Sequence, residues 1–157
     1  MASLLKLVHI GIAFAFVAGL VARWILLTRA SRTNEVEHAF QLSEAAAPFE
    51  RLVIWGGNSI LVTGLATAWA QGYPWLGLTT GWMLLSVVLL LSVLPLVPLI
   101  FLPRGKRFES AMAAARTQGV VTPELRAAFA DSAVEFARRY EVVTVAVVIG
   151  LMVLKPF

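Results

Sequence analysis

Residues Trp82–Leu102 read WMLLSVVLLLSVLPLVPLIFL and hold no charged side chain. At about 1.5 Å per helical residue, the run crosses a bilayer core of roughly 30 Å. Lipid offers no water to free backbone N–H and C=O groups, so such a segment must be helical. Once it lies in lipid, the other long apolar runs read the same way, at about 4–27, 52–70 and 140–154. The expected architecture is all-α: an integral membrane four-helix bundle, one domain over 1–157, with short amphipathic helices in its charged loops.

Composition agrees. Of the 157 residues, 59% are hydrophobic and 14% charged, with a mean hydropathy of +0.82, too little polar surface to coat a soluble globule. The net charge of +4 and pI near 10.1 do not point to nucleic acid. The basic residues stand beside apolar runs instead of forming an arm interleaved with base-stacking aromatics. The expected partner is the lipid bilayer. With no cysteine, disulfides, thiolate metal sites and cysteine nucleophiles are excluded. The first apolar run is too long for a signal-peptide core and no small-x-small cleavage site ends it, so it is expected to remain as a span.

C-terminal to Leu102, the basic PRGKR at 103–107 reads as a stop at the membrane surface. Residues 108–118 look helical, with Gly119 as the stop, and Thr122-Pro123-Glu124 is a helix start with Thr as N-cap and Pro at the first position. Leu125, Phe129, Ala133 and Phe136 form one stripe, and no breaker follows before Pro156, so one helix from Pro123 through the last span is expected. N-terminal to Trp82, residues 71–81 carry no charge and read as an interfacial loop anchored by Trp69, Trp75 and Trp82. The second span is rich in small residues, Gly56, Gly57 and Gly64, which let a neighbouring backbone approach; Gly19 plays that part in the first. Asn34, with Glu37 three residues on, suggests a short helix, and Pro48 the opening turn of the next.

Arginine and lysine set the orientation. Arg29, Arg32 and Arg51 flank loop 28–51; Arg104, Lys106, Arg107, Arg116, Arg126, Arg138 and Arg139 fill loop 103–139; the middle loop has none. With four spans both basic loops face one side, the cytoplasm of a bacterial inner membrane, and both termini face out. Arg23, Arg138 and Arg139 are then expected as interface anchors, Arg23 by snorkelling.

Few residues offer chemistry. His9 is the only histidine in an apolar span, and ionisable groups there mark functional sites by default; a neutral imidazole bonded near the outer interface is the structural alternative. Its candidate role is haem ligation, with Met83, Met152 or a second subunit's His9 opposite. His38 lies on the other side of the membrane, so the two histidines share no metal site. Methionines in apolar helices more often serve packing. Asn58 reads as a hydrogen-bonding tie between helices, and Ser59, Thr63 and Thr67 as bonding back or across. Glu141 reads as an ion-pair anchor for Arg23 or an arginine of its own helix. There is no Ser/His/Asp arrangement, no phosphate loop and no intramembrane acid pair, so no catalytic residue and no metal site is assigned.

The closing Leu151-Met152-Val153-Leu154-Lys155-Pro156 resembles the LMVxKP ending of the predicted integral membrane proteins grouped as domain-of-unknown-function family 2269. With four spans, a small-residue second helix and a charged third loop, that resemblance covers nearly the whole chain. The opening Leu7-Val8-His9-Ile10-Gly11 with Val17-Ala18-Gly19 resembles the first helix of oxygen-independent membrane protoporphyrinogen oxidases and of copper-resistance D-type proteins, in which a histidine is followed ten residues later by glycine. In the oxidases that histidine is associated with haem or porphyrin, which makes His9 a candidate ligand by resemblance. The chain departs from that family in having no lysine in its third span and no Pro-Arg after the glycine. The expected function is a structural or accessory subunit, in a homo-oligomer or a larger membrane complex. A b-haem or porphyrin-binding protein using His9 is the alternative, and a small transporter with a helix broken at Pro95 and Pro98 the third reading.

Overall fold

The computed structural model describes residues 1–156 and is all-α, with no strand among them. Its helices are α1 (Ala2–Arg32), α2 (Val36–Ala70), α3 (Gly81–Val93), α4 (Leu102–Gln118), α5 (Pro123–Phe129) and α6 (Ser132–Leu154). A 3₁₀ turn at Pro74–Gly77 lies between α2 and α3, and a π turn at Val97–Phe101 joins α3 to α4. Three helical stretches are long and apolar enough to cross a bilayer: Ala2–Arg32, Val36–Ala70 and Gly81–Gln118. In α6, Arg138, Arg139 and Glu141 sit just before the apolar run that starts at Val142.

α1 packs along α2, and α3 along α6; the two hairpins touch each other sparingly. Phe16, Leu20, Val53, Ile60 and Val145 form the core between them. A second core lies at the other end of α2, where Val36 and Ala39 pack with Met112 and Ala115 of α4 and Leu125 of α5. The two charged loop regions thus share one apolar cluster.

Three boundaries differ from the sequence expectation. α2 has 35 residues, about 52 Å at ~1.5 Å per residue, and runs unbroken through Pro48. A proline there leaves one carbonyl without its N–H, and Pro48 is exposed, so water can serve that carbonyl. Asn34 caps nothing: its amide oxygen accepts from Arg126 Nη2 at 2.9 Å, and Glu35 holds the N-cap position. The π turn, which follows Pro95 and contains Pro98, re-registers the backbone bonds, and Pro103 falls in the first turn of α4, where no donor is missed.

The third difference is a break at Ala130–Asp131, which divides the single helix expected from Pro123 onward. Asp131 accepts the N–H groups of Ala133 at 2.9 Å and Val134 at 3.2 Å, capping α6, and Arg104 Nε reaches both carboxylate oxygens at 3.0 and 2.9 Å. A carboxylate satisfied in this way competes with helix continuation. The Gly119 stop in its left-handed conformation and the Thr122 cap, whose hydroxyl accepts from Leu125 N–H at 3.2 Å, stand where the sequence places them.

Candidate functional site

Small residues set the seam between α1 and α2. A methyl group added at Gly56 would stand 3.1–3.2 Å from Phe16, and one at Gly19 3.2 Å from Val53. Gly57 sits beside the same phenylalanine ring. One face further along, Gly64 makes room for an imidazole: a methyl there would lie 3.2 Å from His9 Cε1. The glycines of α2 therefore bring His9 against the α2 backbone.

His9 Nδ1 lies 3.0 Å from Thr63 Oγ1. The Thr63 hydroxyl has one proton, and its shortest acceptor contact is the Ser59 carbonyl at 2.7 Å. With that proton on the Ser59 carbonyl, the hydroxyl accepts from His9 Nδ1–H, the tautomer that leaves Nε2 unprotonated. This is the arrangement in which an imidazole is ready to ligate, its tautomer fixed by a neighbour.

His9 borders a cavity of about 510 Å³ lined by residues of α1, α2, α3 and α6, within the roughly 300–1,000 Å³ of small-molecule and cofactor sites. Its walls are apolar, built from residues such as Phe16, Ile60, Leu90, Val145 and Val148. Met83 and Met152 border the same space; Met83 is buried beside Trp82 and Ala68, with Tyr73 and Met152 against that cluster. Among the described residues no three His, Cys, Asp or Glu side chains gather where they could hold a metal ion.

The family model described as "Predicted integral membrane protein (DUF2269)" matches residues 3–156. The chain belongs to the DUF2269 family. Neither a curated protein nor a solved structure matches it.

In this DUF2269 protein the remaining polar side chains fall into a few groups. Arg23 is buried, pairs with buried Glu141 of α6, and has the centre of the Phe101 ring 5.4 Å from its guanidinium carbon. Arg139 is exposed and bonds Glu135 one turn back at 2.7 Å, while Arg138 is half-buried on the neighbouring face. Asn58 turns to its own helix, donating to the Ile54 carbonyl at 2.9 Å, and Thr67 likewise donates to Thr63. Trp69 and Trp75 are exposed, whereas Trp82 is buried against Tyr73, edge to face at 6.4 Å.

Sequence reasoning singled out His9, Met83 and Met152 but not Thr63 as the histidine's partner, nor Lys6 and Lys155 at the cavity's end. Thr63 precedes Gly64, so a hydroxyl beside a small residue was visible. The rotation of α1 that turns His9 toward them was not.

Proposed function

We propose that this DUF2269 protein is a four-span membrane protein that holds a tetrapyrrole, a b-type haem or a porphyrin, with His9 Nε2 as its ligand. The observation that carries the reading is the contact of His9 Nδ1 with Thr63 Oγ1 at the wall of an apolar cavity of suitable size. Met83 and Met152 border the same space and could offer a second ligand to a bound haem. A bound b-haem would supply one-electron transfer; the chain itself supplies the ligand, holds its tautomer and excludes water with apolar walls.

Counting α6 as the fourth span is supported by its uncharged run Val142–Leu154 and by Glu141, whose charge is matched by Arg23. An even number of spans puts both basic loops on one side, the cytoplasm of a bacterial inner membrane. The apolar cluster shared by α2, α4 and α5 supports that placement, because it brings the two loop regions together.

The test is an absorption spectrum, oxidised and dithionite-reduced, of the protein purified in mild detergent and then titrated with hemin. A stoichiometric Soret band lost in His9→Ala is expected. A well-folded protein that neither carries nor takes up a tetrapyrrole overturns the reading and leaves an accessory subunit of a larger membrane assembly.

A further inference from the structure

The cavity is not sealed from the bilayer. Phe14 of α1 and Val153 of α6 border it and are each 74% exposed; Ile10 and Ile149, one turn nearer its middle on the same two helices, are exposed as well. The opening therefore runs between α1 and α6, along the line where the two hairpins touch sparingly. It faces the region of the membrane that lipid tails occupy.

Among the described residues, the charged side chains at the end of this slot are of one sign. Lys6 lies three residues before His9 on α1, and Lys155 caps α6 with its Nζ 5.7 Å from the centre of the Trp82 ring. Gln71 and Tyr73 complete the polar end, and among the described residues no carboxylate borders the cavity. Two ammonium groups at the membrane–water boundary above an apolar slot match a molecule with an acidic head and a greasy body.

We propose that the cavity takes an acidic amphiphile directly from the bilayer leaflet nearest the chain termini. It enters between α1 and α6, and its carboxylate stays at Lys6 and Lys155. The inference deepens the reading of His9 as a tetrapyrrole ligand, since natural tetrapyrroles of this kind carry carboxylates, but it rests on the slot and the lysines alone. It gives the cavity a selection rule that His9 does not provide: free acid over neutral ester.

The experiment uses the full-length protein in proteoliposomes with dibromostearic acid or its methyl ester mixed into the lipid. Trp82 borders the cavity, whereas Trp24, Trp55, Trp69 and Trp75 are exposed; a variant with these four changed to Phe leaves Trp82 as the only reporter. Saturable quenching by the acid is expected, with the ester about tenfold weaker or more, as two interfacial lysines imply. Lys6→Gln with Lys155→Gln should bring the acid down to the level of the ester, and Lys106→Gln, exposed on α4 and away from the cavity, should leave acid binding unchanged. Should the single-tryptophan variant not fold, native mass spectrometry of the wild type counts bound acid and ester in the same comparison. Equal binding of acid and ester, indifference to the two lysines, or no binding of the acid overturns the inference. A His9-dependent Soret band with no discrimination between acid and ester sinks this inference alone. Lysine-dependent acid binding in a protein that takes up no hemin sinks only the tetrapyrrole reading.

Discussion

The guanidinium of Arg23 on α1 meets the carboxylate of Glu141 on α6, 118 residues apart in sequence and both buried. The pair ties the first span to the last helix at the end of the bundle opposite the His9 cavity, and the Phe101 ring of the π turn lies over the arginine. Between this tie and the Lys6–Lys155 end, α1 and α6 part to form the slot. The two hairpins are thus clasped at one end and open at the other.

Removing one partner leaves an unpaired charge in an apolar interior, which costs about 3–5 kcal/mol. Glu141→Leu alone should therefore lower the thermal unfolding midpoint sharply in detergent, as should Arg23→Met alone. The double substitution should recover most of the loss, because two apolar side chains need no partner. A double variant as unstable as the singles would show that the pair does more than neutralise its own charges.

Thr63→Val keeps the shape of the side chain but removes the acceptor for His9 Nδ1–H. The imidazole then loses the contact that fixes its tautomer, and affinity for hemin should fall about 10–100-fold, the usual effect of losing such a supporting bond. Thr63→Ser should restore it. The readout is a hemin titration followed at the Soret band, and equal affinity in Thr63→Val would sever the threonine from the site.

The apolar helices were legible in the sequence because the demands of lipid are coarse: charge-free runs such as Trp82–Leu102 follow from solvation alone. Local stops with a chemical signature, Gly119 and Thr122, were legible too. Breaks that depend on tertiary partners were not. The Asp131 break needs Arg104, and the continuity of α2 through Pro48 needs one open carbonyl face. The same limit applies to the site. Helix periodicity tells which residues share a face, but not which face of α1 meets Gly64, and so not that Thr63 rather than solvent would receive the His9 proton.

Gly64 is where the seam and the site meet. Gly64→Ala puts a methyl 3.2 Å from His9 Cε1, close enough that the ring must shift by a few tenths of an ångström. The expected outcome is a displaced Soret maximum or weaker hemin binding, with little change in unfolding temperature. Gly56→Val drives bulk into Phe16 in the core, and overpacking of this sort costs about 1–3 kcal/mol. Its effect should appear in stability first. If Gly64→Ala were spectroscopically silent, the imidazole would not be held in the position that the close packing implies.

Asp131 links the loop helices to α6 and carries the pH dependence. Its slight burial would raise the carboxyl pKa, but the Val134 N–H, the Arg104 side chain and the Ala133 N–H outweigh it and hold the group below the usual carboxylate range. A folded-state pKa below the unfolded one contributes stability above the unfolded value, about 3.9. That contribution is lost as the pH falls through this value toward the lower folded one. Asp131→Ala also removes an N-cap, worth typically about 1 kcal/mol, so near pH 7 it should lower the unfolding midpoint of the purified protein. On acidification from pH 5 to pH 3, the gap between wild type and variant should narrow as the wild-type carboxylate protonates. A gap that stays constant over that range would mean that the Arg104–Asp131 contact contributes nothing through charge and that Asp131 acts on α6 only as a neutral cap.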